Sequence, residues 1–233
     1  MDIADIDLVS VDHLLMTTRA VRKRLDLARP VGREVIECCI EIAIQAPTAV
    51  YSQTWHFIVI TEATQRAAVA EIYRRAGEGL RSRAFPPNPY MSGLLATSPD
   101  DKRFSQQQKM FSAGLELMKH LQDIPALILA CAEGRVENQG PGAQAPLYGS
   151  IFPAVWSLML ASRARGIGSV MTTLHIEHFE REMARVLELP AHVTQAALVA
   201  AGYFTGSDFK PAKRAPVRSC IHWDRWPQGS ESA

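Results

Sequence analysis

Hydrophobic and polar positions alternate along this chain in two periods, and the longer, helical one dominates. Ser10 stands as a candidate N-cap before a moderately apolar stretch running from Val11 to about Arg22. A clearer helix is predicted over Arg33 to Gln45. There Val35, Cys39, Ile42 and Ala46, with Ile36, Ile40 and Ala43, recur at three- and four-residue spacing. Pro47 ends it, because proline lacks an N–H and crowds the preceding turn. HFIVIT (His56 to Thr61) is a short β-branched run bounded by polar residues, the pattern of a buried strand. A third helix is expected from near Thr64 toward Gly77.

From Arg81 to about Lys109 the periodicity breaks. FPPNPYMSG and TSPDD are rich in turn formers, which predicts a long irregular excursion with one short helix. Excursions of this length in compact domains often serve as lids or partner-wrapping segments. IPALILACAE (Ile124 to Glu133) reads as a second strand and NQGPGAQAP (Asn138 to Pro146) as a flexible loop. Tyr148 to Arg165 reads as a long apolar helix closed by Gly166 at C′. A short extended piece at GSVMTTLH, a helix over His178 to Leu187 and a strand over Thr194 to Gly206 complete the order. The aromatic C-terminus shows no period. Helices and strands alternate only loosely, and no glycine-rich turn follows the first strand. An α+β arrangement of a small sheet with helices therefore fits better than a doubly wound nucleotide fold. No internal repeat or linker divides residues 1–233, so a single domain is expected.

Composition narrows the function classes. Of 233 residues, 47% are hydrophobic, enough for a substantial core. No apolar run approaches the roughly 18 residues of a membrane span. The N-terminal MDIADIDLVS is acidic, without a basic residue, and resembles neither a signal nor a transit peptide. A cytoplasmic enzyme is the default expectation. A net charge of +1 gives no global attraction to nucleic acid or membrane. Cys38, Cys39, Cys131 and Cys220 show neither CxxC nor zinc spacing, so no metal is expected and free thiols are.

Separated segments carry candidate chemistry. In TTRAVRKRLD, Arg19, Arg22, Lys23 and Arg24 crowd together; were the segment helical, Arg19 and Arg22 would share a face. Guanidinium forks match phosphate oxygens, although charge runs are commonly solvated surface. In QAPTAVYSQTWHF, Thr48, Ser52 and Gln53 offer side-chain donors and acceptors beside a loop whose amides are free to face a ligand. His56 there reads more simply as a structural histidine than as a base. In RGIGSVMTTLH, Gly166 and Gly168 lack the side chains that would keep a planar ring from the backbone, but GxG alone is weak as a dinucleotide signal. KPAKRAPVR adds Lys213 and Arg214 near the C-terminus.

Taken together, RAVRKRLD, IAIQAPTAVYSQTWHFIVIT, RGIGSVMTTLH and KPAKRAPV with a closing WDRW resemble the nitroreductase family of FMN flavoproteins. Arg19, Ala20 and Arg22 stand at the second, third and fifth positions of the family's RRSxR-like motif, and Thr18 stands where the first arginine is usual. Ala46, Pro47, Thr48, Ala49, Tyr51, Gln53, Thr54 and Trp55 match APSGxNxQPW, with Tyr51 for the asparagine and Thr54 for the proline. The resemblance implies a nitroreductase-like fold, with a small central, mainly antiparallel sheet flanked by helices. It also implies an intertwined homodimer with FMN at the subunit interface and a partner-wrapping tail at about 207–233. FMN binding is expected from Arg19, Ala20, Arg22, Pro47, Thr48, Ala49, Tyr51, Gln53, Met171, Thr172, Thr173, Lys213 and Arg214.

The same resemblance implies ping-pong electron transfer from NADH or NADPH through the flavin to a small organic acceptor, nitroaromatic or quinone-like. Arg22 is expected to face the charge that reduced flavin gathers at N1 and O2. Arg19 with Lys213 or Arg214 is expected to hold the phosphate. No catalytic side chain is named, because the cofactor does the redox chemistry. A flavin storage or sensor protein, and a flavin-fragmenting or dehydrogenating member of the family, are the alternatives. A basic nucleic-acid module is disfavoured by the balanced charge.

Overall fold

Strand β2 (Ala126–Glu133) is apolar on both faces, and its period of two divides the core into halves. Leu127, Leu129 and Cys131 face one helical layer, while Ala126, Ile128 and Ala130 face the other. The computed structural model describes residues 6–82, 84–85, 88–207 and 209–226. They fall into two compact units, one of residues 19–207 and one joining residues up to 18 with those from 208.

The larger unit carries the sheet. Strands β1 (Trp55–Ile60), β2, β3 (Ile167–Thr172) and β4 (Val193–Tyr203) lie in the order β1-β2-β4-β3, each pair antiparallel. The two central strands are buried almost throughout, which explains why both read as near-continuous apolar runs. One face is covered by α2 (Arg33–Ala43) and α6 (Gly140–Ala164), the other by α3 (Ala63–Ser82), α5 (Phe104–His120) and α7 (Ile176–Val186). The α+β reading and the mainly antiparallel sheet hold. Ile36, Cys39 and Ala43 are the buried stripe of α2, close to the face its periodicity predicted, although Ile42 turns outward.

The smaller unit holds α1 (Leu8–Thr17) and the irregular residues 209–226, which include a 3₁₀ turn at Val217–Ser219. The carboxylate of Asp7, not Ser10, caps α1, accepting from Val9 N–H at 3.1 Å and Ser10 N–H at 3.4 Å. The helix stops five residues before the expected Arg22. Thr17 and Thr18 are the cause: their hydroxyls donate back to His13 O and Leu14 O, both at 2.6 Å, and Thr18 turns extended. The shared helical face expected for Arg19 and Arg22 therefore does not form.

Two further expectations are corrected. Residues 140–146 are the first turns of α6 and not a loop; Pro141 sits in the first turn, where its missing N–H costs nothing. The 81–109 excursion holds α4 (Pro89–Leu94) and the start of α5, held by side-chain bonds that carry no period. Gln107 Nε2 donates to Leu94 O at 2.9 Å, and its Oε1 accepts from Ala96 N–H at 2.9 Å. Arg83, Pro86 and Pro87 of that stretch, residues 1–5, and Asp208 and residues 227–233 of the expected tail lie outside the described residues. By length and composition alone α6 could cross a membrane. Its buried face, from Ser150 and Ile151 to Leu158 and Met159, instead packs against the sheet and α2. The cysteines are free thiols, as expected.

Candidate functional site

Past the end of α1 the chain runs extended beside the sheet. Ala20 bridges Ser169 in parallel, Val21 N–H donates to Ser169 O at 3.0 Å, and Asp26 N–H donates to Tyr203 O at 2.7 Å. Gly168 makes this approach possible, since a Cβ there would stand 3.0 Å from Val21 and 3.1 Å from Leu25. The open face that the sequence suggested for a ring at Gly168 is filled by this segment. Gly166, at φ +74°, follows the end of α6 as its predicted cap.

The segment delivers Arg22 to a half-buried position. Its guanidinium makes no ion pair or hydrogen bond among the described residues, and burial pushes its pKa down. The group that acts on it electrostatically is Tyr73, a nearly buried residue of α3 whose own pKa is raised by burial. The Tyr73 hydroxyl is 3.0 Å from Thr172 Oγ1 at the end of β3. Tyr73 and Thr172 thus form one polar contact between α3 and the end of β3, and no carboxylate among the described residues pairs with the Arg22 charge on which Tyr73 acts. A cation held out of water without a counter-charge disfavours the fold unless something anionic completes it. Arg19, partly exposed, likewise has no partner among the described residues. Met171 and Thr173, flanking Thr172, are exposed.

The second cluster is the loop between α2 and β1. Pro47 and Thr48 lead into a 3₁₀ turn at Ala49–Tyr51; Val50 and Tyr51 within it, and Gln53 after it, have φ of +47°, +56° and +47°. Left-handed backbone at a β-branched residue is strained, and such strain collects where function requires a geometry. Val50 and Tyr51 are 97% and 82% exposed, so no packing of this chain explains the conformation. The loop is fastened by Ala49 N–H, which donates to Ser150 Oγ at 3.0 Å, while the serine hydroxyl donates to Pro146 O at 2.7 Å. Ser150→Ala is expected to cost about 1 kcal/mol in urea unfolding, from a part-buried N–H left without its acceptor, and to speed hydrogen exchange at the Ala49 amide. Unchanged exchange there would show that the loop is fixed by other means.

The bridge at Ser169 therefore sets Ala20 and the segment carrying Arg22 beside β3, the strand that ends at Thr172, whereas Pro47, Thr48, Ala49, Tyr51 and Gln53 share the loop that Ala49 ties to Ser150 of α6. Lys213 and Arg214 belong to the smaller unit and are exposed there. His56 Nε2 lies 3.1 Å from Glu133 Oε1 at the sheet surface, both half exposed, in keeping with a structural role. Sequence reading missed Tyr73 and Ser150. Ser150 is legible afterwards as one polar residue on the apolar stripe of α6. Tyr73 continues the stripe of Val69, Ala70, Ile72 and Ala76, and only its need for a buried hydroxyl partner marks it.

The model of the nitroreductase family matches residues 15–203. A protein of Methanothermobacter thermautotrophicus, described as a candidate NADH dehydrogenase/NAD(P)H nitroreductase, is 21% identical over 233 residues, covering 94% of this chain and 88% of its own. Among solved structures, oxidized iodotyrosine deiodinase bound to FMN and 3-iodo-L-tyrosine aligns with a TM-score of 0.66. It is 18% identical over 93% of this chain and 100% of that one. A variant of the FMN and NADPH-dependent nitroreductase NfnB, from Sphigopyxis sp. strain HMH, aligns with a TM-score of 0.66. It is 20% identical over 92% of this chain and 99% of that one. At such identities the structural likeness establishes the fold.

Proposed function

Because the chain belongs to the nitroreductase family, we propose that it is an FMN-dependent oxidoreductase. It takes electrons from NADH or NADPH and passes them to a small organic acceptor, nitroaromatic or quinone-like, in a ping-pong cycle. The observation that carries this reading is Arg22, a half-buried cation with no counter-charge among the described residues, on which Tyr73 of the Tyr73–Thr172 pair acts electrostatically. Those groups fit the ring edge of a flavin, whose pyrimidine side accepts hydrogen bonds and gathers negative charge on reduction. Bound FMN supplies the hydride and electron chemistry.

The chain's residues bind and orient. Arg22 offsets charge at N1 and O2. Ala20 is tied to Ser169 by the bridge that places the arginines beside β3. Met171, Thr172 and Thr173 line the ring. Arg19 meets the phosphate, and Lys213 and Arg214 are phosphate cations by the family pattern alone. Pro47, Thr48, Ala49, Tyr51 and Gln53 bind FMN by the family pattern, and Tyr51, in place of the usual asparagine, bears on the choice of acceptor.

A homodimer belongs to the same reading. Leu8, Val9, Leu15 and Met16 of α1 are exposed, as are Trp223 and Trp226, and a second copy would bury such apolar surface. Anaerobic NADH or NADPH should bleach the bound flavin within the mixing time of a steady-state assay. Bleaching by dithionite and by neither nicotinamide would replace the reductase reading with flavin storage or another donor.

A further inference from the structure

The Tyr73–Thr172 pair has a defined polarity, which follows from what surrounds it. Burial keeps the Tyr73 phenol protonated, and that proton needs an acceptor. Arg22 has none to give, because a guanidinium only donates. Thr172 Oγ1, 3.0 Å away, is the hydrogen-bond partner that Tyr73 has among the described residues. The phenol therefore donates and the threonine accepts. Thr172 is partly exposed, and its hydroxyl makes no bond to the main chain among the described residues. Its own proton is left for an acceptor outside the chain.

We propose that Tyr73 is a positioning residue for the cofactor. By donating to Thr172 it commits the threonine hydroxyl to the ligand, so that Thr172 and Arg22 together present one oriented donor and one unpaired cation to the ring edge that gains electron density. This inference rests on the FMN reading above. It assigns a role to a core residue of α3 that sits at no position of the family motifs. The donor strengthens as its acceptor becomes negative, because hydrogen bonds to charged groups are stronger than neutral ones. Tyr73 thus acts on the relative affinity for reduced and oxidised flavin more than on flavin binding as such.

The test compares Tyr73→Phe, Thr172→Val and Thr172→Ser, each loaded with FMN, for two quantities: FMN affinity by fluorescence quenching, and the two-electron potential by anaerobic dye equilibration. Tyr73→Phe is expected to change the affinity for oxidised FMN by less than about threefold. It should lower the reduced-to-oxidised affinity ratio about tenfold, a shift of roughly 30 mV to more negative potential. Thr172→Val should give the same shift, and Thr172→Ser, which keeps the hydroxyl, should retain the wild-type potential. Phe and Val together should shift it no further, because the two groups act in series. A wild-type potential in Tyr73→Phe, or full additivity in the double variant, overturns the inference. Should Tyr73→Phe fail to fold, the contrast between Thr172→Val and Thr172→Ser decides alone, and equal potentials overturn it. Wild-type protein that binds no FMN would remove the flavin reading itself, a different result from bound FMN whose potential does not move.

Discussion

Arg22→Met is expected to weaken FMN binding by about ten- to a hundredfold, the range for losing a hydrogen bond to a charged group, while the unliganded protein becomes no less stable. The two halves of this expectation come from one fact. The Arg22 guanidinium is half-buried, burial depresses its pKa, and no carboxylate among the described residues offsets the lost hydration. A methionine of similar reach keeps the packing of the stem and removes the unpaired charge. A residue kept for stability would behave in the opposite way, and residues that raise stability when replaced concentrate at binding sites. Urea unfolding of flavin-free protein and a fluorescence titration with FMN measure the halves separately. Loss of stability with unaltered FMN affinity would make Arg22 a structural residue.

The second large effect is on stability in acid. His175, at the start of α7, is wholly buried, and burial lowers its pKa to about 4, opposed by Gln195 and Glu180. An unfolded histidine titrates near 6.5. Above that value both states are neutral and the contribution to stability is complete. As the pH falls below it, the unfolded chain takes up a proton that the folded one refuses, so stability is lost until about pH 4. A shift of this size corresponds to roughly 3 kcal/mol over that window. In His175→Leu the extra slope should be absent, so wild type and variant should diverge between pH 4 and 6.5 in parallel urea titrations. Identical slopes would show that His175 takes up its proton alike in the folded and unfolded chain.

Much of the fold was legible because burial imprints a period on sequence. HFIVIT and IPALILACAE became β1 and β2, and the helix predicted from Tyr148 to Arg165 is the inner part of α6. The failures share a cause: elements ended or extended by specific side-chain bonds. The hydroxyls of Thr17 and Thr18 close α1 early, and Gln107 organises the turn after α4. Neither leaves a hydrophobic signature. At the site, the apolar pattern extended a helix to about Arg22, whereas the chain is extended from Thr18 and bridges β3 at Ala20. Gly168 was read as room for a ligand, whereas Val21 and Leu25 occupy that room. Tyr73 lies almost a hundred residues from Thr172 in sequence, and only the folded contact between α3 and the end of β3 brings the two hydroxyls together. The strain at Val50, Tyr51 and Gln53 could not be read from residue types that ordinarily avoid positive φ.

The central claim is that the cation at Arg22 and the hydroxyl at Thr172 belong to a flavin site. The visible spectrum of the purified protein, followed by identification of what heat denaturation releases, tests it most directly. A yellow protein that releases FMN is the expected result. A colourless protein that also fails to take up added FMN would contradict it.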